Sequence, residues 1–325
     1  MGVKRRLRKV INKRLGGNLL DVNVLEKTKI IKVETLKDVR KLSEDYPHIL
    51  LASRESSTDK NVTTQVCIKE YNNVEEFVSE LTIMEKIANL SIKIPSPRLY
   101  GPCEYKKLSK GNMPSFRLVM EKIEAPDLLT CMWSDSFNYV SRLRICMQLI
   151  SLVKRLHNHG IVHMDIKCEN LLVSMDEIPK LTIIDFALSM IVYDNNTYYH
   201  NVVGTKNYCS PEMYFRRKYL PKSNDIWSVG VVIYIILSGG FHPFTYKHNI
   251  SKRSFYKNII RKIRYGNIDP RIAGVLKCVF LPERKRLTAT DLNNILIPVI
   301  GEIILETTPI NNPLSPRRNG LVQTL

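Results

Sequence analysis

Ile161-Val162-His163-Met164-Asp165-Ile166-Lys167-Cys168-Glu169-Asn170-Leu171-Leu172-Val173 sets three polar groups, Asp165, Lys167 and Asn170, between apolar runs that read as short buried segments. An acid, a cation and an amide in this order suit phosphoryl transfer. The acid orients and deprotonates a hydroxyl, the cation neutralises charge on the moving phosphoryl group, and the amide oxygen ligates a metal ion. Further on, Ile183-Ile184-Asp185-Phe186-Ala187 places a second acid just after a β-branched apolar pair. That acid is suited to hold Mg²⁺ against phosphates. A loop of solvated polar residues would account for either stretch alone, but the agreement of two spaced motifs weighs against it.

A chain of 325 residues is long enough to bury a full core, as one two-lobed domain or two small ones. Hydrophobic content of 44% and charged content of 25% are those of a soluble globular protein. The seven cysteines include no C-x-x-C pair and are odd in number. This argues for reduced thiols in the cytosol or nucleus rather than a disulfide framework. The basic N-terminal residues do not read as a signal peptide. The most apolar stretch, Val229 to Leu237, is too short to span a bilayer and reads as a buried helix, so no transmembrane segment is expected.

The net charge of +18 predicts attraction to acidic partners, nucleic acid or an anionic membrane. Lys4, Arg5, Arg6, Arg8, Lys9, Lys13 and Arg14 gather at the N-terminus. Such a run fits a nuclear-import signal or a nucleic-acid contact, and equally a solvated extension.

The two polar stretches resemble the catalytic loop H-R-D-x-K-x-x-N and the metal-binding D-F-G of the eukaryotic protein kinases. The similarity then runs along the chain in order. Thr64-Gln65-Val66-Cys67-Ile68-Lys69 resembles the V-A-I-K strand, which implies that Lys69 holds the α and β phosphates and that Cys67 faces adenine. Phe77 to Ile87 is apolar at helical spacing. Within it, Glu80 stands where the family's helix glutamate pairs with the lysine, and Met84 would face the core. Glu85 is the fallback, because the gap from Lys69 to Glu80 is short for the family.

Phe116 to Leu128 resembles the hinge between lobes. The resemblance implies that Met120 guards the back pocket, that the backbone of Glu121 and Ile123 meets adenine, and that Asp127 meets the ribose. Leu172, just after the catalytic loop, completes the nucleotide set. A helical pattern from Ile145 to His157 leads into that loop. Gly204-Thr205-Lys206-Asn207-Tyr208-Cys209-Ser210-Pro211-Glu212 matches the G-T-x-x-Y-x-x-P-E of the Ser/Thr class. Asp225 opens the apolar helix, and Arg286 is implied to pair with Glu212.

The implied fold is α+β and bilobal, with a small antiparallel-sheet lobe at about 30–122 and a larger helical lobe at about 123–305. A basic extension (1–29) and a flexible tail (306–325) flank it. The implied activity is transfer of the γ-phosphoryl group of ATP, with Mg²⁺ or Mn²⁺, to serine or threonine of protein substrates. Asp165 and Lys167 would be catalytic, Asn170 and Asp185 would hold metal, and Glu169 implies preference for arginine at position −3. The alternative is a pseudokinase scaffold that binds partners without turnover.

Three departures bear on this. No glycine lies between Gly17 and Gly101, so the small lobe has no G-x-G-x-x-G. The turn expected to replace it is Leu36 to Pro47, with Lys37, Arg40 or Lys41 reaching phosphate by side chain. Met164 stands for the arginine of H-R-D, and Ala187 for the glycine of D-F-G.

Overall fold

The computed structural model describes residues 31, 35–44, 46–55, 63–103, 116–215, 218–245, 251–258 and 260–308. The basic extension lies outside the described residues, as does the chain from 309 onward. Strands β1 (Leu36–Lys41), β2 (Ile49–Glu55), β3 (Thr63–Tyr71), β4 (Leu99–Cys103) and β5 (Phe116–Glu121) form one antiparallel sheet in the order β1-β2-β3-β5-β4. Along β3 the faces alternate, as a strand requires. Val66 and Ile68 join Ile31, Ala52, Cys103 and Val119 in a small outer core, while Tyr71 enters the main core and Cys67 packs against it.

The first half of the expected Leu36–Pro47 turn is strand β1, and the connection to β2 is confined to residues 42–48. β1 is an edge strand exposed at every position after Leu36, so it carries none of the apolar alternation that marks a strand in sequence. Its cations suit an unpaired edge. Lys37 pairs across the sheet with Glu55 at 2.5 Å, and Lys41 lies 3.6 Å from Glu44. Ile31 forms an isolated bridge with Cys103.

Helix α1 (Val74–Ala88) follows β3 directly. Asn73 caps it by accepting from the Glu75 N–H at 2.8 Å, and Glu75 and Glu76 complement the dipole of its first turn. Its buried face carries Phe77, Leu81, Met84 and Ile87 into the main core. After β5 an extended connector leads to the short α2 (Leu128–Cys131) and then to α3 (Tyr139–Asn158). That last helix begins earlier than the pattern Ile145–His157 indicates, because Asn138 caps it at the Ser141 N–H.

Two small antiparallel ribbons follow: β6 (Ile161–Val162) with β9 (Met190–Ile191), and β7 (Leu171–Ser174) with β8 (Lys180–Ile183). They set the 163–170 loop beside the segment after β8, where the Ile184 N–H donates to the Asn170 carbonyl at 3.0 Å. The short α4 (Pro211–Tyr214) precedes α5 (Pro221–Ser238), whose residues from Asn224 to Leu237 are all buried. Proline opens α5 and Gly239, left-handed at φ +82°, closes it. Helices α6 (Lys252–Asn258), α7 (Pro270–Val279) and α8 (Ala289–Thr307) complete the large lobe. The expected domain end at 305 falls within α8, so residues 306 and 307 are helix rather than tail. No helix among the described residues is long and apolar enough to cross a membrane.

Candidate active site

The 163–170 loop is fixed from below by the buried carboxylate of Asp225. Its Oδ2 accepts from the His163 N–H at 2.8 Å and its Oδ1 from the Met164 N–H at 2.9 Å, with His157 Nε2 3.0 Å from Oδ2. These bonds hold Met164 at φ +70°, a left-handed conformation that costs a side-chain-bearing residue about 1–2 kcal/mol. Gly204, at φ +80°, lies against the same turn. A Cβ there would sit 2.6 Å from the Met164 carbonyl oxygen and 3.3 Å from Asp165 Oδ1.

Above this anchor the polar side chains converge. Asp165 Oδ1 accepts from both the N–H and the hydroxyl of Thr205, each at 2.8 Å. Its Oδ2 faces Lys167 Nζ at 3.0 Å, and Lys167 in turn donates to the Thr205 hydroxyl at 3.0 Å. Asn170 Nδ2 donates to the Asp165 carbonyl at 2.9 Å, which closes the loop on itself. One carboxylate is thereby oriented by a cation, an amide and a hydroxyl drawn from two separate segments.

The second acid, Asp185, is left-handed at φ +66°, which aspartate tolerates better than most residues. Its Oδ1 lies 2.6 Å from Lys69 Nζ, and Lys69 lies 2.8 Å from Glu80 Oε2. Burial alone would lower the Lys69 ammonium's pKa, but the charges and hydrogen bonds of Glu80 and Asp185 hold it above the ordinary lysine value. For Asp185, burial works to raise the pKa, and the Lys69 charge beside it wins, so the carboxyl stays below its ordinary value. Glu80 rather than Glu85 is thus the partner of Lys69. Phe186 is buried with its ring centroid 5.1 Å from that of His163, and its N–H donates to Glu80 Oε1 at 3.1 Å. Ala187 is not among the positive-φ residues.

The donor set fits a hard divalent cation. Asn170 Oδ1 and Asp185 Oδ2 have no partner among the described residues, and both are oxygen ligands of the kind Mg²⁺ prefers. The turn at 42–48 contains no glycine, so close approach of its backbone N–H groups to phosphates is not built in. Met120 is buried opposite Cys67 in register, and burial pushes the Cys67 thiol up to about 11.

At the connector, the Glu121 N–H is committed to the Arg98 carbonyl at 2.8 Å, while the Ile123 backbone has no partner among the described residues. Asp127, the expected ribose contact, stands at the start of α2. Its carboxylate caps α2, accepting from the Thr130 N–H at 2.9 Å and hydroxyl at 2.8 Å. Leu172 is half-buried and bridges Asp127 through backbone.

Arg286 meets Glu212 at 2.9 Å with both side chains buried. Lys252 at 3.1 Å and the Tyr256 hydroxyl at 2.8 Å join the same carboxylate. Sequence reasoning missed these last two, and it missed the anchoring role of Asp225. Nothing local signals that role, since the groups it binds lie far away along the chain.

Against known proteins, residues 50–295 match the protein kinase domain. The chain belongs to the protein kinase family. It is 30% identical over 211 residues to a probable myosin light chain kinase of Dictyostelium discoideum, covering 65% of this chain and 64% of that protein. It is 36% identical over 151 residues to the mouse hormonally up-regulated neu tumor-associated kinase, covering 46% of this chain and 20% of that one. A third relative, rat serine/threonine-protein kinase D2, is 36% identical over 137 residues, covering 41% of this chain and 15% of the relative. The matched stretch thus spans less than two thirds of each of these proteins. Members of this family in general use ATP and a divalent metal.

Proposed function

We propose that the chain transfers the γ-phosphoryl group of ATP to serine or threonine of protein substrates. The observation that carries this reading is the joint presence of the Asp165–Lys167–Thr205 cluster and the Lys69–Glu80 pair. Asp165 orients the acceptor hydroxyl and receives its proton, while Lys167 offsets charge on the group in transfer. Lys69 positions the α and β phosphates. Asn170 and Asp185 supply oxygen ligands for Mg²⁺ or Mn²⁺, which when bound draws charge off the phosphates. Glu169 is exposed with no partner among the described residues, which supports a preference for arginine at position −3. The free cysteines support a cytosolic or nuclear setting.

The glycine-free turn favours the second reading, a scaffold without turnover. Transfer of ³²P from ATP to a generic basic protein, with Asp165→Asn as control, separates the two. Signal no higher than the control would leave the scaffold. A positional-scanning peptide library, repeated with Glu169→Ala, tests the arginine preference.

A further inference from the structure

Lys69 and Tyr71 are two apart on β3, so they share the face turned toward α1. The Tyr71 hydroxyl donates to Glu80 Oε2 at 2.6 Å, the same oxygen that Lys69 meets at 2.8 Å. Glu80 Oε1 accepts from the Phe186 N–H at 3.1 Å. The carboxylate is 1% exposed, and a buried charge of this kind is stable only when its oxygens are fully paired. Two of its three donors do not depend on Lys69. One is a backbone N–H, and the other sits on a ring wedged edge-on against Phe77, centroids 5.6 Å apart. The Lys69 ammonium also lies 5.3 Å above the Tyr71 ring.

We propose that Tyr71 is a positioning residue that clamps Glu80, and with it helix α1, in the working position whether or not Lys69 is engaged elsewhere. The inference rests on the kinase reading only for its catalytic consequence. When Lys69 takes up phosphates, its bond to Asp185 is given up and its ammonium is shared between the phosphates and Glu80. Without Tyr71, Oε2 would keep only that shared ammonium and the Phe186 N–H on Oε1 would be the one fixed donor, so a buried charge would be underpaired and α1 would gain by rotating it outward. Tyr71 removes that incentive. Its hydroxyl remains a proton donor throughout, because burial followed by the Glu80 charge raises its pKa well above the ordinary tyrosine value. Phosphates then draw on a lysine that is already aligned, and no binding energy is diverted to moving the helix.

The test is hydrogen–deuterium exchange on the full nucleotide-free chain, comparing wild type, Tyr71→Phe, Lys69→Met, Glu80→Ala and the Tyr71→Phe/Glu80→Ala double variant. Tyr71→Phe keeps the ring and loses only the hydroxyl. It should speed exchange of the α1 amides at least tenfold while β2, β3 and β5 stay unchanged, and Lys69→Met, which keeps the hydroxyl, should leave part of that protection in place. On the Glu80→Ala background it should add nothing, since the acceptor is gone. Exchange in α1 within twofold of wild type would overturn the proposal, as would an equal rise across the whole sheet or a further rise in the double variant. In turnover, Tyr71→Phe should lower kcat/KM for Mg·ATP at least tenfold and leave the KM of the protein substrate unchanged. If wild type transfers no phosphate, the kinase reading fails, and the exchange data still decide whether the clamp exists.

Discussion

Acid should weaken the large lobe by about 3 kcal/mol through a single carboxylate, Glu212. Burial works to raise its pKa, but the Arg286 charge and hydrogen bond, with Lys252 and Tyr256, bring it from 4.5 down to about 2. Each unit of difference is worth about 1.4 kcal/mol, so the group contributes roughly 3 kcal/mol at neutral pH. The sign follows from the order of protonation. The folded value is the lower one, so as pH falls the unfolded chain takes up the proton first. The contribution is therefore complete above about pH 4.5, shrinks between there and about pH 2, and is absent below. Urea unfolding of wild type and Glu212→Gln between about pH 7 and pH 2 isolates it from the other carboxyls. The stability gap between the two proteins should narrow by about 2–3 kcal/mol over that window. A gap that stays constant with pH would refute the reasoning, because Glu212 would then not be held ionised by its neighbours.

Alanine at Thr197 together with phenylalanine at Tyr198 and Tyr199 should leave turnover within a few-fold of wild type. Met164 offers no cation to a phosphate on this segment, and reciprocal backbone bonds between Tyr199 and Tyr219, at 2.9 and 3.0 Å, tie it down regardless. A hundredfold loss in a ³²P transfer assay would count against this. Lys69→Met should weaken Mg·ATP binding at least tenfold by calorimetry, and wild type itself should bind more weakly than kinases with a glycine loop. Tight binding that survives the substitution would mean the nucleotide sits elsewhere. Gly204→Ala should cost about 2 kcal/mol in urea unfolding and at least tenfold in turnover, since its Cβ meets the Met164 carbonyl at 2.6 Å on a left-handed backbone. Wild-type values in both assays would show that the loop yields freely.

Much of the site was legible because its chemistry is carried by short runs. Asp165, Lys167 and Asn170 lie within one loop, and the segments holding Lys69 and Asp185 have their own apolar flanks. The resemblance already favoured Glu80 over Glu85, and the structure supplies the reason for that pairing. It follows from Asn73 capping α1 immediately after β3, which turns Glu80 inward and leaves Glu85 a turn beyond. Tyr71 could have been flagged from sequence, since strand alternation puts it on the face of Lys69. Its hydroxyl looked like that of an ordinary core tyrosine until Glu80 was placed. β1 was illegible for the opposite reason: an exposed edge strand has no buried face to impose a pattern. Asp127 has a local role that the resemblance did not indicate. An aspartate three residues before a threonine at a helix start caps that helix with both oxygens.

The ordinary backbone of Ala187 has a consequence for which small molecules this site will accept. A ligand that needs the Asp185–Ala187 segment turned over, with residue 187 at positive φ, must select a conformer that a methyl group makes rarer by about 1 kcal/mol than glycine would. By mass action that penalty is subtracted from the ligand's own affinity, roughly fivefold in Kd. A competitor that takes the segment as it stands, with Phe186 seated against His163, is exempt. Two compounds equal on a glycine-bearing relative should therefore separate here, and Ala187→Gly should bring them back together.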